Sequence, residues 1–344
     1  MKKIVPALIL LLTLLTGCAA PAAPATEPET RQYQASFLEL FDTVTTVLGY
    51  AGSEEEFSEI SRNIQQELLG YHQLFDIYNE YEGIKNLKTV NDSAGIGPVE
   101  VDERLMALLL DCKEYYDLTE GRVNVFMGSV LKLWHDARTQ AVDNPGQAHL
   151  PDSAALEEAA KHGNPDSVIL DPEAGTVFIT DPQLRIDVGA VAKGWSAQRV
   201  SENAPKGMLL SVGGNVCATG PKPSGSSWVV GVQSPEDDGS YVRTLDIDRG
   251  AVVTSGDYQR YFLVDGVRYH HIIDPDTLQP AALWRSVTVV CPDSGLADCL
   301  STALFLCDAE QGQALLDKTG AEAMWLDAEG SQFYSDGFRA IIHS

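Results

Sequence analysis

The feature of this chain that most constrains its fold is a series of short β-branched runs, each ended by a glycine, proline or aspartate turn. Such runs predict strands, and Asp265-Gly266 between two of them is a strong hairpin signal. Strands are predicted in this way at 208–212, 228–232, 242–247, 251–254, 261–264, 267–273 and 287–290. Because helical segments are interspersed, the sequence predicts an α+β fold with mixed, mainly antiparallel sheets and packed helices.

Helical periodicity and further strand signals fill in the rest of the chain. The helices are predicted at 53–69, with Ser53 as its cap, and at 102–117, 191–203, 296–305 and 309–318. Further strands are predicted at 37–50 and 184–188, and a hairpin is predicted from 168–170 and 176–179. We find no internal repeat and no heptad pattern.

The N-terminus has the pattern of a bacterial secretory signal. Two lysines precede an apolar stretch at 4–15, so residues 1–17 are predicted to be a signal peptide. Leu15-Thr16-Gly17-Cys18 matches the lipobox, which predicts Cys18 as the lipidated first residue of the mature chain. The alternative is an ordinary signal cleaved nearby. Residues 18–34 are predicted to be a flexible tether, which would hold a domain at 35–344 on the extracytoplasmic face of a bacterial cell membrane.

The charge of the chain limits its partners. A net charge of −25 argues against binding to nucleic acid. An anionic ligand would have to be held by local devices, such as a helix N-terminus, a metal ion or a single lysine. The five cysteines other than Cys18 are predicted to be small buried hydrophobic residues, with any disulfide unassigned: Cys112, Cys217, Cys291, Cys299 and Cys307.

One predicted helix carries a possible metal site. Asp298 and Thr302 lie four residues apart, so they share one face of the helix at 296–305. Two hard oxygens that face one point suit a small cation such as Mg²⁺. The alternative is an ordinary carboxylate near a helix N-terminus with an outward threonine.

A second candidate site surrounds the turn before the helix at 191–203. Asp187 ends a predicted strand, Gly189 forms the turn, and Lys193 lies in the first turn of the helix. Free backbone N–H groups at such a helix start attract phosphate, and the free carbonyl of Ala190 could bind a metal ion. A simple β–α turn with a solvated lysine is the alternative. The pattern is not G-x-G-x-x-G, which disfavours a dinucleotide-binding Rossmann fold.

Two further segments complete the candidate residues. Gly213-Gly214 is a turn at a strand end that permits positive φ and close approach of a ligand. The segments 254–258 and 269–275 are predicted to lie on neighbouring strands, the second with His270 and His271. Adjacent residues of a strand face opposite sides, so one of the two histidines is expected to enter a site, as a general base.

Taken together, these motifs resemble those of the ApbE family of FAD:protein FMN transferases. The resemblance extends from about Phe41 to Phe305. It is carried by 187–194 (DVGAVAKG), 212–215 (VGGN), 254–258 (TSGDY), 271–275 (HIIDP) and 297–303 (ADCLSTA). The fold implied is that of ApbE and T-fold proteins, with two intimately fused lobes.

The resemblance implies an activity and a set of site residues. The activity is Mg²⁺-dependent transfer of the FMN half of FAD to a Ser or Thr of an exported acceptor protein, with release of AMP. His271 is implied as the base that activates the acceptor hydroxyl. The metal ligands implied are Asp298, Thr302 and the Ala190 carbonyl, with Ser301 as a further candidate. The FAD contacts implied are Phe41, Tyr78, Arg122, Val123, Asn124, Asp187, Lys193 and Ile272.

The chain departs from the family pattern in places. Asn124 stands where members often have aspartate, and Trp195 stands where tyrosine is usual. Two other functions remain open at this point: a Mg²⁺-dependent FAD pyrophosphatase that gives FMN and AMP, and a flavin-binding lipoprotein without catalysis. The expected acceptor pattern, Ser/Thr-Gly-Ala-Ser/Thr, is approached here only at 319–322, which ends in Glu322.

Overall fold

The computed structural model describes residues 30–236 and 238–344, with fifteen strands and eight α-helices. The predicted signal peptide, Cys18 and most of the predicted tether lie outside the described residues. The strands are β1 (Arg31–Leu40), β2 (Thr43–Ala51), β3 (Val99–Glu100), β4 (Val168–Asp171), β5 (Thr176–Ile179), β6 (Met208–Val212), β7 (Asn215–Ala218), β8 (Trp228–Gln233), β9 (Tyr241–Ile247), β10 (Gly250–Gly256), β11 (Tyr261–Val264), β12 (Val267–His270), β13 (Ser286–Cys291), β14 (Glu322–Leu326) and β15 (Gln332–Tyr334). The helices are α1 (Glu54–Phe75), α2 (Leu87–Asp92), α3 (Glu103–Leu118), α4 (Gly128–Asp143), α5 (Ser153–Ala160), α6 (Ala192–Asn203), α7 (Ser294–Phe305) and α8 (Ala309–Thr319).

The predicted α+β class is confirmed. Eight antiparallel strands form the central sheet in the order β1-β2-β6-β7-β10-β13-β14-β15. Both faces of its middle strands are covered: Ala251 and Val253 of β10 belong to the main hydrophobic core, whereas Val252 packs against the β8–β9 ribbon. This double burial explains why β10 is almost continuously apolar rather than alternating. Within the described residues, no helix is long and apolar enough to cross a membrane.

Helix α7 is buried nearly all round, which follows from its composition. Ten of its residues, from Ser294 to Phe305, are buried, and it packs against α6, β10 and β13. Helix α1 begins where predicted, because the side chain of Ser53 accepts a hydrogen bond from the backbone N–H of Glu56. The predicted apolar face of α3 is confirmed: Leu105, Leu108, Leu109 and Cys112 are all buried.

A separate hydrophobic cluster joins α4 to the β11–β12 hairpin, through Trp134 and Phe262 among others. The hairpin turns at Asp265-Gly266 as predicted. Helix α4 and the β11–β12 hairpin form one wall of the cleft described below. The opposite wall includes the turns at one end of the central sheet.

The N-terminal strand prediction was wrong in one respect. Phe41 and Asp42 both have positive φ, 54° and 53°, so the segment at 37–50 is a hairpin of β1 and β2 rather than one strand. The sequence hides this turn because neither residue is the glycine or asparagine that usually marks one. Strand β1 also begins at Arg31, within the segment predicted as tether.

Two other strand predictions need correction. Residues 184–188 are extended but form only one bridge, from Arg185 to Met127. The segments at 254–258 and 269–275 do not lie on neighbouring strands, because β10 pairs with β7 and β13 while β12 pairs with β11. Strand pairing over such distances depends on tertiary packing that a local pattern does not contain.

Candidate active site

A cleft of about 960 Å³ brings together residues that are up to 265 positions apart in the chain, from Phe41 to Leu306. Its walls include the β1–β2 and β6–β7 turns, the start of α6, one face of α4 and the end of β12. It is lined by nearly all of the predicted site residues, namely Phe41, Tyr78, Arg122, Val123, Asn124, Asp187, Ala190, Lys193, His271, Ile272, Asp298 and Thr302.

The segment that leads into α6 is held by a side chain rather than by a sheet. The buried amide of Asn91 donates to the carbonyl of Ile186 at 2.9 Å and accepts from its N–H at 2.8 Å. The N–H of Asp187 then donates to the carbonyl of Val125 at 2.8 Å. These bonds replace the strand ladder that the sequence predicts, and they fix Asp187 and Ala190 at the wall of the cleft.

The two segments that carry the predicted metal ligands, near 190 and 298, are in direct contact through Gly194 and Lys193. One oxygen of Asp298, Oδ2, accepts a hydrogen bond of 2.8 Å from the backbone N–H of Gly194. The ammonium of Lys193 lies 3.9 Å from the same oxygen. Asp298 is only 4 % exposed, and this burial raises the pKa of its carboxyl above the ordinary value, although Lys193 and Gly194 oppose the rise. A nearby cation would favour the ionised form.

The donor set fits a small hard cation. Asp298, Thr302 and Ala190 line the same cleft, and the Thr302 hydroxyl makes only a long contact of 3.5 Å, with the carbonyl of Asp298. Within the described part of the chain there is no cluster of three or more His, Cys, Asp or Glu that could hold a metal ion. A cation here would therefore be bound by one carboxylate, a hydroxyl and a carbonyl, and would need further oxygens from a ligand.

Ser301 does not belong to this set. It is fully buried, and its hydroxyl is engaged with Ser255 Oγ at 2.8 Å and with the carbonyl of Asp298 at 2.9 Å. It also faces away from Thr302 on the helix, because adjacent residues are about 100° apart. The prediction of Ser301 as a further ligand is therefore not supported by its position.

The two histidines have different environments, as predicted, but for another reason. Strand β12 ends at His270, which is buried: its Nε2 donates to the carbonyl of Ala281 at 2.7 Å and its Nδ1 accepts from the N–H of Ile272 at 3.2 Å. His271 lies beyond the strand and is exposed to the cleft. The walls of the cleft shield the imidazole from bulk water, and this desolvation lowers its pKa well below the ordinary value; the positive charges of Arg260 and Lys193 lower it further. The imidazole is therefore neutral and available as a base at neutral pH.

Aromatic residues line another part of the cleft. Tyr78 is 53 % exposed and its ring is stacked on that of His135, with 5.0 Å between centroids. Phe41 is fixed by its turn: its N–H donates to Nδ1 of His72 at 3.2 Å, and the two rings meet edge to face. Both aromatic residues can offer a surface to a planar ligand.

The side chain of Asn124 has a structural role. Its Nδ2 donates to the carbonyl of Gly163 at 3.0 Å, and its Oδ1 accepts from the N–H of Phe126 at 2.9 Å. An amide can make both bonds whereas an aspartate cannot donate the first. This explains how asparagine fits at this position, and any contact that Asn124 makes with a ligand would use its backbone.

Many residues that line the cleft were not among the predicted site residues, and four of these are polar or charged groups close to the motifs or facing the ligand space: His135, Arg138, Asn215 and Arg260. The Nδ2 of Asn215 is buried and has no hydrogen-bond partner within the described structure. It lines the same cleft as Asp298. Its position after Gly213-Gly214 was the only available signal. The other three lie on α4 or before β11, where no motif marks them.

Comparisons with known proteins give a consistent result. The family model described as "ApbE family" matches residues 41–325. An FAD:protein FMN transferase of Treponema pallidum is 34 % identical over 262 residues, which are 70 % of each chain. One of Klebsiella pneumoniae is 32 % identical over 71 % of this chain and 77 % of its own. The crystal structure of the ApbE protein of Thermotoga maritima matches with a TM-score of 0.81 and 28 % identity, over 91 % of this chain and 100 % of that one.

Proposed function

We propose that this protein is an FAD:protein FMN transferase. The chain belongs to the ApbE family, as the family model and the curated relatives show. In this proposal the enzyme moves the FMN half of FAD onto a Ser or Thr hydroxyl of an exported acceptor protein and releases AMP. The observation that carries the proposal is the contact of Asp298 with Gly194 in a cleft that also contains the neutral, accessible His271. A cation site and a base then share one cavity.

The chain's own residues account for the proton and for the orientation of the substrates. His271 takes the proton of the acceptor hydroxyl, and the hydroxyl oxygen attacks the phosphorus of the FMN half. An O–P bond forms, the bond from phosphorus to the oxygen that bridges to AMP breaks, and the electron pair leaves with AMP. The ammonium of Lys193, which lines the cleft, faces the charge that develops on the phosphate. The backbone N–H groups of Ala192 and Gly194 at the start of α6 are already bonded within the protein, so this charge is supplied by the lysine side chain.

Mg²⁺ would be held by Asp298, Thr302 and the carbonyl of Ala190, and it would neutralise the diphosphate. The cation matters more here than in a basic protein, because a chain with a net charge of −25 repels FAD at long range.

A pyrophosphatase is the second candidate, because His271 is open to water. To separate the two, the protein is incubated with FAD, Mg²⁺ and a peptide that carries Ser/Thr-Gly-Ala-Ser/Thr, and the products are identified by mass spectrometry. Covalent FMN on the peptide with AMP in solution supports transfer. Free FMN with AMP supports hydrolysis, and intact FAD contradicts both. A peptide with alanine in place of both hydroxyl residues is the control.

We further propose that the enzyme is lipidated at Cys18 and acts at the extracytoplasmic face of a bacterial cell membrane. The support is the signal and lipobox pattern at 1–18. Replacing Cys18 with alanine is expected to move the expressed protein from the membrane fraction to the supernatant. A Cys18→Ala variant that stays with the membranes would contradict the proposal.

A further inference from the structure

Two arginines in the cleft have no carboxylate within ion-pair distance among the described residues. The guanidinium of Arg138 contacts only Nδ1 of His135, at 3.2 Å, and that of Arg260 donates weakly to the carbonyl of Phe41, at 3.5 Å. This is notable because acidic residues outnumber basic ones by 49 to 24 in the chain. Both arginines line the cleft, so their charges are available to an anionic ligand there.

The other arginines of the cleft show the contrast. Arg268 lies 3.3 Å from Asp257, and Arg285 lies 3.1 Å from the same carboxylate. These two line the cleft but are neutralised locally. The missing ion pairs are thus a property of Arg138 and Arg260, not of the cleft as a whole.

The two unpaired arginines line the same cleft. Burial first, and then the positive charge of Arg260, lower the pKa of Arg138. Tyr78, Asp187 and Asp42 oppose this lowering only in part, and neither carboxylate forms an ion pair with Arg138 among the described residues. An anion between the arginines would remove an electrostatic cost that the free protein carries.

Both arginines line the cleft with His271, and the backbone N–H of His271 donates to the carbonyl of Arg260 at 3.1 Å. Their positive charges, with that of Lys193, help to lower the pKa of the imidazole. In the proposed reaction the attacking hydroxyl lies within about 3 Å of the imidazole, so the phosphorus must lie just beyond it. Cations that surround His271 therefore surround the phosphoryl group. A planar guanidinium can donate two parallel hydrogen bonds to one phosphate.

We propose that Arg138 and Arg260 bind the phosphate groups of the flavin nucleotide beside His271. This inference rests on the proposed function for the identity of the ligand. These two residues lie outside the sequence motifs. Under this proposal they discriminate the phosphorylated flavins, FAD and FMN, from riboflavin, which has no phosphate.

The test compares the binding of FAD, FMN and riboflavin to the full chain by flavin fluorescence, for the wild type, Arg138→Gln and Arg260→Gln. Each variant is expected to weaken binding of FAD and FMN by about tenfold and to leave binding of uncharged riboflavin within about twofold. Arg138→Lys should recover part of the loss. The matched control is Arg268→Gln, which removes an arginine of the same cleft that is already paired, and it should leave all three affinities unchanged. Thermal unfolding establishes that each variant is folded.

Equal weakening of FAD and riboflavin would overturn the proposal, because it would mean that the arginines only support the flavin-ring site, for instance through Phe41. Unchanged FAD binding in both variants would overturn it as well. The proposed function fails separately: a wild type that binds FAD through these arginines but gives neither FMN transfer nor AMP would contradict the activity and uphold the phosphate site.

Discussion

The carboxylate of Asp298 accepts a hydrogen bond of 2.8 Å from the backbone N–H of Gly194, across 104 residues of sequence. This bond connects the start of α6, which carries Lys193, to the metal-binding candidates of α7. It requires a glycine, because a Cβ at 194 would lie 2.3 Å from the carbonyl oxygen of Ser294 and 2.4 Å from the Cβ of Asp298. Helices α6 and α7 can therefore contribute residues to one site only because Gly194 lets their backbones come this close.

The first prediction concerns the charge of Asp298. Asp298→Asn keeps the shape and an oxygen for the Gly194 N–H, but removes the negative charge. Because burial already raises the pKa of this carboxyl, the variant should be at least as stable as the wild type without metal. It should lose the stabilisation that Mg²⁺ gives in the presence of FAD, and with it the transfer activity. Thermal unfolding with and without Mg²⁺ measures this.

Asp293→Asn is the matched control for that experiment. Asp293 caps the same helix by accepting from the N–H of Leu296 at 2.7 Å, so its replacement affects stability but not the metal response. An Asp298→Asn variant that still responds to Mg²⁺ in the same way as the wild type would refute the metal assignment.

The second prediction is that Gly194→Ala damages both stability and activity. The new methyl group must push α6 away from α7, and overpacking of this kind typically costs about 1–3 kcal/mol. The displacement also lengthens the bond to Asp298, so binding of Mg²⁺ and FAD should weaken. Gly146→Ala is the control, since a Cβ there meets no atom within 4 Å. Denaturant unfolding and FAD titration check the pair, and an unaltered Gly194→Ala protein would contradict the geometry.

The fold class and the pairing of Asp298 with Thr302 could be predicted because their signals are local, whereas Phe41, Tyr78 and Arg122 were identified only by the family resemblance. Ser53 caps α1, Asp265-Gly266 turns a hairpin, and Asp298 with Thr302 follows helical spacing. The turn at Phe41-Asp42 could not be predicted, because its positive φ values are imposed by tertiary packing on residues that do not favour them. The pairing of Asn91 with Ile186 could not be predicted either. There the side-chain amide of Asn91 makes the backbone hydrogen bonds that a neighbouring strand would otherwise make.

The unpaired state of Arg138 and Arg260 was equally invisible in the sequence. A lone arginine in a helix is ordinarily a solvated surface residue, and only three-dimensional proximity shows that two of them face one histidine without acidic partners. The segments that carry the family resemblance include neither α4 nor Arg260, so no motif marked these two charges.

The third prediction concerns Tyr78 as a surface for the flavin ring. Tyr78→Ala should weaken binding of FAD and riboflavin alike, by about two- to tenfold, since a stacked aromatic contact contributes about 0.5–1.5 kcal/mol. Tyr78→Phe loses the 3.3 Å contact of the hydroxyl with His135 but keeps the ring, so its affinities should stay within about twofold. Tyr241→Ala removes a tyrosine that is also exposed but is not among the residues lining the cleft, and serves as control. Fluorescence titration would contradict the assignment if only FAD were affected.

The fourth prediction is the pH dependence that follows from His271. The folded protein lowers the pKa of this imidazole from its usual 6.5, so the native state holds fewer protons than the unfolded state in the window below pH 6.5. His271 therefore makes folding less stable as the pH falls through that window. For the same reason its neutral, basic form persists below pH 6.5, and kcat/KM for FMN transfer should show no inflection there.

The measurement is kcat/KM from about pH 4.5 to pH 8 at several concentrations of Mg²⁺. Protonation of Asp298 competes with metal binding, so an acid limb that moves to lower pH as Mg²⁺ increases belongs to Asp298 and not to the histidine. His271→Gln should lose transfer while it still binds FAD, and His149→Gln, which replaces an exposed histidine that is not among the residues lining the cleft, should retain the wild-type profile. An inflection fixed at pH 6.5 at every Mg²⁺ concentration would show that the base is an ordinary solvated imidazole, and the cations around His271 would then have to be assigned another role.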